Sequence, residues 1–294
     1  MSVYIQQESI PMSFTKEAWV ILNPIEQSIR NKIEKYGVPL KDWDVNIYRG
    51  VLTGCNEAFI IDGAKRAELI ATDPKSDEII RPILRGRDIK RNGYEFADLW
   101  LINIECGYTN AHRGSTPPEE FIRERYPAIY QHFQDVASRP TRGKGLKGRD
   151  DMGDYWWELR SCAYTNDFSK PKIMYSEIVR APQFFLDTER GFVPEATTFI
   201  MTGDNLEYLI LALHSKILTY AFKSYYAGGG LGETGYRYKK AFIEKLPVPK
   251  PSDESVNNSK EWVKNSELDK IDDLLAKSFN LTEEESLYIY ANIG

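Results

Sequence analysis

The residues of this sequence best suited to chemistry are arginines set beside glycines between apolar runs. They occur in Tyr48-Arg49-Gly50-Val51-Leu52-Thr53-Gly54-Cys55-Asn56-Glu57-Ala58-Phe59 and in Ile83-Leu84-Arg85-Gly86-Arg87-Asp88-Ile89-Lys90-Arg91. Glycine permits a tight turn and close backbone approach, and the guanidinium fork matches a phosphate or a guanine edge bidentately. The chemistry implied is contact with a polyanion. A third stretch, Arg139 to Arg149, holds five bases and no acid, with Arg142, Lys144, Lys147 and Arg149 interleaved by glycines. Its cations would displace counterions from a phosphate backbone, which assigns those four to phosphates. Were the polyanion duplex DNA, Arg85, Arg87, Arg160, Tyr236 and Arg237 would suit the base-reading side or its support, and Arg49, Thr53 and Asn56 a turn facing the same groove. Lys90, Arg91, Lys172 and Lys239 complete the candidate cations. The plainer readings are a solvated flexible loop for 139–149 and a charged strand edge for 85–91.

Other chemistries have weaker footing. Asp77, Asp88 and Lys90 form an acid, ten intervening residues, then Asp-apolar-Lys. Metal-dependent endonucleases use two carboxylates and a lysine in this manner, although Arg85 and Arg87 flank the second acid. Gly228-Gly229-Gly230-Leu231-Gly232 follows a helix-like run, whereas a dinucleotide loop needs a strand before it. It fits a pliable contact leading into Tyr236–Lys240 better. His112, His132 and His214 stand apart, so no nucleophilic triad can be assembled, and His214 sits in an apolar run as a packing residue. Neither a catalytic residue nor a metal ligand is assigned.

The elements that must position these residues can be read from capping and periodicity. Asn23-Pro24-Ile25-Glu26 is a helix start, with Ile25, Ile29, Ile33 and Tyr36 on one face and Gly37 as the stop. Strand-like runs follow at 45–49, 57–62, 79–84 and 98–104. Thr116-Pro117-Pro118-Glu119 reads as a second capped helix start, kinked or split at Pro127. Further strands are expected at 172–178, 183–187 and 197–201, then an apolar helix from Asp204 to about Tyr225. Residues 251–259 read as a linker, followed by a helix with Leu268, Ile271, Leu274 and Leu275 on one face and a capping box at Thr282…Glu285. Trp156 and Trp157 are assigned to the core. Strands and long helices do not alternate strictly, so the class is α+β, a domain flanked by N- and C-terminal helices. The expected division is 1–37 helical connector, 38–250 recognition domain, and 251–294 linker and C-terminal helices.

At 294 residues, with 42% hydrophobic and 28% charged, the chain can bury a substantial core and is not disordered. No apolar run is long enough for a membrane span, and Met-Ser-Val-Tyr-Ile-Gln does not open a signal peptide. Three scattered cysteines fit a reducing cytoplasm. The net charge of −5 would argue against nucleic acid, but it is unevenly placed. Ser252–Gly294 holds ten acids and four bases, and the preceding 251 residues 33 acids and 34 bases. Local patches govern such affinity, so the acidic total is weak counter-evidence.

Several stretches resemble the TaqI-like C-terminal specificity domain: Tyr48-Arg49-Gly50…Asp62, Leu84-Arg85-Gly86-Arg87-Asp88-Ile89-Lys90-Arg91, Trp156-Trp157-Glu158-Leu159-Arg160, Lys170-Pro171-Lys172-Ile173, and Gly235-Tyr236-Arg237-Tyr238 through Leu246-Pro247-Val248-Pro249. The leucine-rich tail helix before Leu281-Thr282-Glu283-Glu284-Glu285 is similar too, so the resemblance runs from about residue 15 to 294 in family order. It implies a target-recognition domain of a bacterial restriction–modification enzyme, of a fold similar to the recognition halves of type I specificity subunits. It also implies double-stranded DNA as partner and a linked adenine-N6 methyltransferase, often in type IIG proteins that carry a nuclease. The sequence contains no Asn/Asp-Pro-Pro-Tyr/Phe and no glycine motif after a strand for S-adenosylmethionine. This chain alone is therefore not expected to methylate DNA, and S-adenosylmethionine is expected on a methyltransferase domain elsewhere. A piece of a longer enzyme is the expectation, with a free-standing specificity protein as the alternative. A protein-interaction module remains a further alternative function.

Overall fold

The computed structural model describes residues 22–140, 143–227 and 235–293. Arg142 and the glycine run Gly228–Gly232 lie outside them. The chain divides into two compact units. One takes the described residues of Met1–Val45, Ile178–Pro182 and Gly203–Gly294, and the other Asn46–Glu177 and Gln183–Thr202. The fold is α+β, with several small irregular sheets.

In the larger-sheet unit, one four-stranded sheet has the order Phe184–Asp187, Lys172–Ser176, Thr198–Gly203, Val45–Arg49. Its first two pairings are antiparallel, with Phe184 opposite Tyr175 and Phe199 opposite Tyr175 from the other side. A second sheet runs Val193–Pro194, Ile80–Leu84, Leu99–Ile102, Ile60–Asp62. Here Val193–Pro194 lies parallel to Ile83–Leu84, and the other pairs are antiparallel. Inward-facing Ile80, Ile83, Leu101 and Ile102 share one core with Phe59, Phe133, Trp157 and Ile200. Trp156 packs against that core and Trp157 lies within it.

Helices Pro118–Arg125 and Pro127–Ala137 cover this core, and the break at Pro127 is the split expected there. The expected capping box at Thr116…Glu119 does not form, because Pro117 takes the cap position and offers no side-chain acceptor. Residues 57–62 are not one strand. Asn56–Phe59 turns helical, and only Ile60–Asp62 pairs. Ala58 and Phe59 then face the core while Thr53 Oγ1 accepts the Cys55 amide at 3.2 Å and fixes the turn. The helix Gly63–Thr72 lacks an apolar stripe strong enough to read in advance. Asp62 caps it by accepting the Lys65 amide at 2.7 Å.

In the helical unit, Pro24–Tyr36 carries the full capping box of Asn23 and Glu26 and buries Ile29 and Ile33. Val38–Pro39 pairs with Pro247–Val248, and Ile178–Val179 with Tyr236–Arg237. The apolar helix expected over 204–225 is broken. Leu206–His214 ends at Ser215, whose extended backbone and hydroxyl cap start Lys216–Ala221, and Phe222–Tyr226 continues as a π-turn. His214 is buried, as its apolar setting suggested. The stretch 251–259 is not a linker: Ser252 caps a helix over Asp253–Lys264. The last helices are Ile271–Ser278 and Glu283–Ala291, the latter with the expected Thr282–Glu285 box. Glu285 also receives Lys32 at 2.6 Å and Ser28 at 2.7 Å, tying the tail to the first helix. No described helix is long and apolar enough to cross a membrane.

Two cations expected at DNA, Lys172 and Arg149, are interior. Lys172 pairs with Asp187 at 2.8 Å, both side chains 1% exposed. Asp187 also accepts the amides of Arg190 and Phe192 at 2.9 and 2.8 Å, closing the loop between two strands. Burial pushes the Lys172 ammonium below its usual range, against the pull of Asp187. Removing one member of such a pair leaves an uncompensated buried charge. Lys172→Met should therefore cost ~3–5 kcal/mol in urea unfolding, and an effect within the error of the wild-type midpoint would contradict this role.

Candidate nucleic-acid interface

The two arginine–glycine turns meet on one short segment, Pro194–Thr198. Gly50 donates to the Thr198 carbonyl at 2.8 Å, and Val51 to the Pro194 carbonyl at 2.8 Å. A Cβ on Gly50 would lie 2.1 Å from the Glu195 carbonyl oxygen, so only glycine fits. Exposed Arg49 donates its Nε to the Ala196 carbonyl at 2.9 Å. Its terminal nitrogens have no hydrogen-bond partner among the described residues. From the other side, Gly86 donates to Thr197 Oγ1 at 3.1 Å. A Cβ on Gly86 would meet Ser176 Oγ and the Thr197 carbonyl at 2.8 Å each. Thr197 is held in turn by Glu195, whose Oε2 accepts its hydroxyl at 2.6 Å and its amide at 2.9 Å. The segment's own frame is fixed by the Glu195 amide and Thr198 Oγ1, both donating to the Leu84 carbonyl at 2.9 and 3.0 Å.

The turn Gly86–Asp88 is closed by a carboxylate. Buried Asp88 accepts the Arg85 amide at 3.0 Å and Arg85 Nε at 2.9 Å on one oxygen, and Arg85 Nη2 at 2.7 Å on the other. Burial alone would raise the Asp88 pKa, but these Arg85 hydrogen bonds hold it below the usual carboxylate range. Arg85, expected as a base reader, is thus committed within the protein. Arg87 is exposed, and its guanidinium has no hydrogen bond or ion pair among the described residues. Lys90 reaches back to the Arg87 carbonyl at 3.1 Å and to Glu95 at 3.2 Å, and Arg91 is exposed. The carboxylates of the endonuclease pattern are both engaged by arginines, since Asp77 pairs with Arg66 at 2.7 Å. Cys106, Asp154 and Glu158 form a cluster compact enough for a metal among the described residues. Glu158 there already accepts the amides of Gly107, Thr109 and Asp154, which accounts for its burial without an ion.

The basic loop separates into surface and interior. Lys144 is exposed and pairs with exposed Asp150 at 2.5 Å. Lys147 donates to Gln134 Oε1 at 3.0 Å and lies 4.6 Å over the Trp156 ring. Arg149, expected at a phosphate, is 4% exposed and cannot reach one. Its guanidinium donates to the carbonyls of Leu146, Asp151, Trp156 and Glu158 and lies over Phe59. Burial pushes its pKa down to about 10. It knots the loop from the inside. Arg142 lies outside the described residues.

The remaining candidates are dispersed. Arg160 is exposed and pairs with Asp151 at 2.9 Å. Thr53 is buried and donates to Asn56 Oδ1 at 2.5 Å, so it shapes the turn while Asn56 is exposed. In the helical unit, Tyr236 is buried, its hydroxyl pushed up to about 12 by desolvation, and it packs in an aromatic cluster with Phe222 and Tyr238. It is a core residue there. Arg237 is half-buried, its Nε without a hydrogen-bond partner among the described residues. Lys239 is exposed over Phe242. The sequence reading overlooked Glu195 and Thr197, which carry no motif. Asp88 reads in sequence as a metal acid, and no motif marks it as the acceptor that closes the turn, because Arg85 lacks the side-chain oxygen of a capping box.

A family model described as the TaqI-like C-terminal specificity domain matches residues 81–248. It therefore includes the Arg85–Arg91 turn, the basic loop and the Tyr236–Val248 ending, and begins after the Arg49–Gly50 turn. The fold is similar to that in the crystal structure of the type IIG restriction endonuclease BpuSI, with a TM-score of 0.52 and 14% identity over 82% of this chain and 27% of that one. The type IIL restriction-modification enzyme MmeI, solved in complex with DNA, aligns with a TM-score of 0.49 and 13% identity over 87% of this chain and 32% of that one. The chain thus spans about a quarter to a third of the length of these enzymes. No curated protein matches.

Because the folded-state pKa of Asp88 is depressed, its stabilisation is complete above the unfolded-state value of about 3.9 and fades as pH falls through the folded one. Asp88→Asn should therefore cost about 1–3 kcal/mol near neutrality, and the gap to wild type should narrow in melts below about pH 4. A gap that widens on acidification would invert the assignment.

Proposed function

The chain belongs to the TaqI-like C-terminal specificity domain family, and we propose that it reads the sequence of double-stranded DNA and directs a linked adenine-N6 methyltransferase to its site. The observation that carries this reading is the joint seating of the Arg49 and Arg87 turns on Pro194–Thr198, which leaves two guanidinium groups on one rigid frame. The planar fork of each matches the acceptor pair of a guanine edge in a major groove. Lys144 and Lys147 supply backbone charge, which positions the duplex without reading it. Methyl transfer, with S-adenosylmethionine, and any cleavage belong to other parts of the enzyme in this proposal. It assigns the chain a recognition role only.

Selection from a duplex library with a random core tests the proposal. An enriched motif is expected, and Arg87→Ala or Arg49→Ala should relax it at single base pairs. Equal retention of all sequences at low salt would overturn sequence reading, and stable protein complexes without DNA retention would favour an interaction module. Replacing both Lys144 and Lys147 with Ala should weaken all duplexes alike. The slope of log affinity against log salt should become shallower by about two. An unchanged slope would remove these lysines from the backbone contact.

A further inference from the structure

We infer that Asp88 is a positioning residue for DNA reading, acting through Arg87. The inference rests on the DNA-reading proposal and deepens it by naming what aims the reading arginine.

Four observations combine at one turn. Asp88 uses both carboxylate oxygens on Arg85, including its backbone amide, and so locks the two ends of Gly86–Asp88 together. Gly86 is buried between Ser176 and Thr197, with no room for a Cβ, and its amide is taken by Thr197 Oγ1. Lys90 closes the far side on the Arg87 carbonyl. Arg87 alone projects from the turn without a hydrogen bond or ion pair among the described residues.

The pair of arginines around Gly86 therefore has divided roles. Arg85 is neutralised at 24% side-chain exposure by an acid at 6%. Its charge is balanced by Asp88, which fills its Nε–Nη2 edge. Arg87 keeps its fork, and the turn beneath it cannot flex without breaking charge-assisted hydrogen bonds. The turn fixes where the Arg87 side chain leaves the backbone, and so confines the bases its fork can reach. Loss of Asp88 should thus spare attraction to DNA in general, since an acid is removed, and should impair discrimination. A residue that merely supported the fold would lower binding to every sequence together.

The test compares Arg87→Ala, Asp88→Asn and the double variant on the selected duplex and on duplexes carrying each single base-pair change. Urea unfolding checks that each variant is folded. Thr197→Val serves as a milder route, since it removes the acceptor of the Gly86 amide from outside the turn, and Thr197→Ser should restore it. Arg87→Ala should reduce discrimination about tenfold to a hundredfold at one base pair. Asp88→Asn should lose discrimination at that same base pair while binding unselected duplexes at least as tightly as wild type. The double variant should discriminate no worse than Arg87→Ala, and Thr197→Val should fall on the same base pair.

Uniform loss over all duplexes in both folded variants, or loss centred on a different base pair, would overturn the assignment of Asp88. Additive losses in the double variant would do the same. A wild-type chain with no sequence preference would instead defeat the DNA-reading proposal itself, and this inference with it.

Discussion

The candidate surface depends on the close approach of two glycines to one stretch of backbone. Gly50 and Gly86 come from separate parts of the sequence, yet each donates its amide to Pro194–Thr198 or its side chains where a Cβ would collide. Any larger residue at Gly50 would have to displace the Glu195 carbonyl, which belongs to the parallel bridge joining Val51 to Glu195. The adjoining arginines inherit their placement from that constraint. Loops hold the chemistry, and small paired strands hold the loops.

Charge in this chain is sorted by depth more than by sign. Arg149 and Lys172 look like surface cations in sequence, but both are interior, and each closes a loop by filling carbonyl or carboxylate acceptors. Arg85 is intermediate and neutralised by Asp88. What remains exposed in the same unit includes Arg49, Arg87, Arg91, Lys144, Lys147 and Arg160. The acidic tail belongs to the other unit, where Glu285 is consumed by Lys32, Ser28 and the Thr282 cap. The net charge of −5 therefore says little about this surface.

Legibility followed the range of the interaction. Local signals were read correctly where the deciding atoms lie within a few residues. Asn23 with Glu26, Thr282 with Glu285, and the break at Pro127 all formed as their spacing implied. The strands at 45–49, 79–84 and 98–104 are visible as short runs with apolar residues, bounded by turn signals. The stretch 251–259 reads as a linker because Pro, Ser, Asp and Asn dominate it, and the residues its helix buries are the small polar Ser255 and Ser259. The site was half legible. Arginine beside glycine marked the turns, but the segment joining them, Glu195-Ala196-Thr197, offers no pattern, since its role is to present carbonyls and one hydroxyl. Which cations are buried is not legible either, because Arg149 is covered by Phe59 from far upstream in the chain.

Burying charge to shape a loop is costly, and apolar residues of similar size often stabilise as well or better. That three separate turns here use it argues for a requirement beyond stability. Arg149, Lys172–Asp187 and Arg85–Asp88 each satisfy acceptors or donors that an apolar side chain would leave orphaned in a tight, irregular backbone. Regular sheets and helices satisfy their own backbone, whereas a surface of irregular turns cannot. A fold built on short irregular loops therefore needs internal side chains with several donors or acceptors. Arginine, lysine and aspartate serve that purpose here at the positions where the backbone departs furthest from regular pairing.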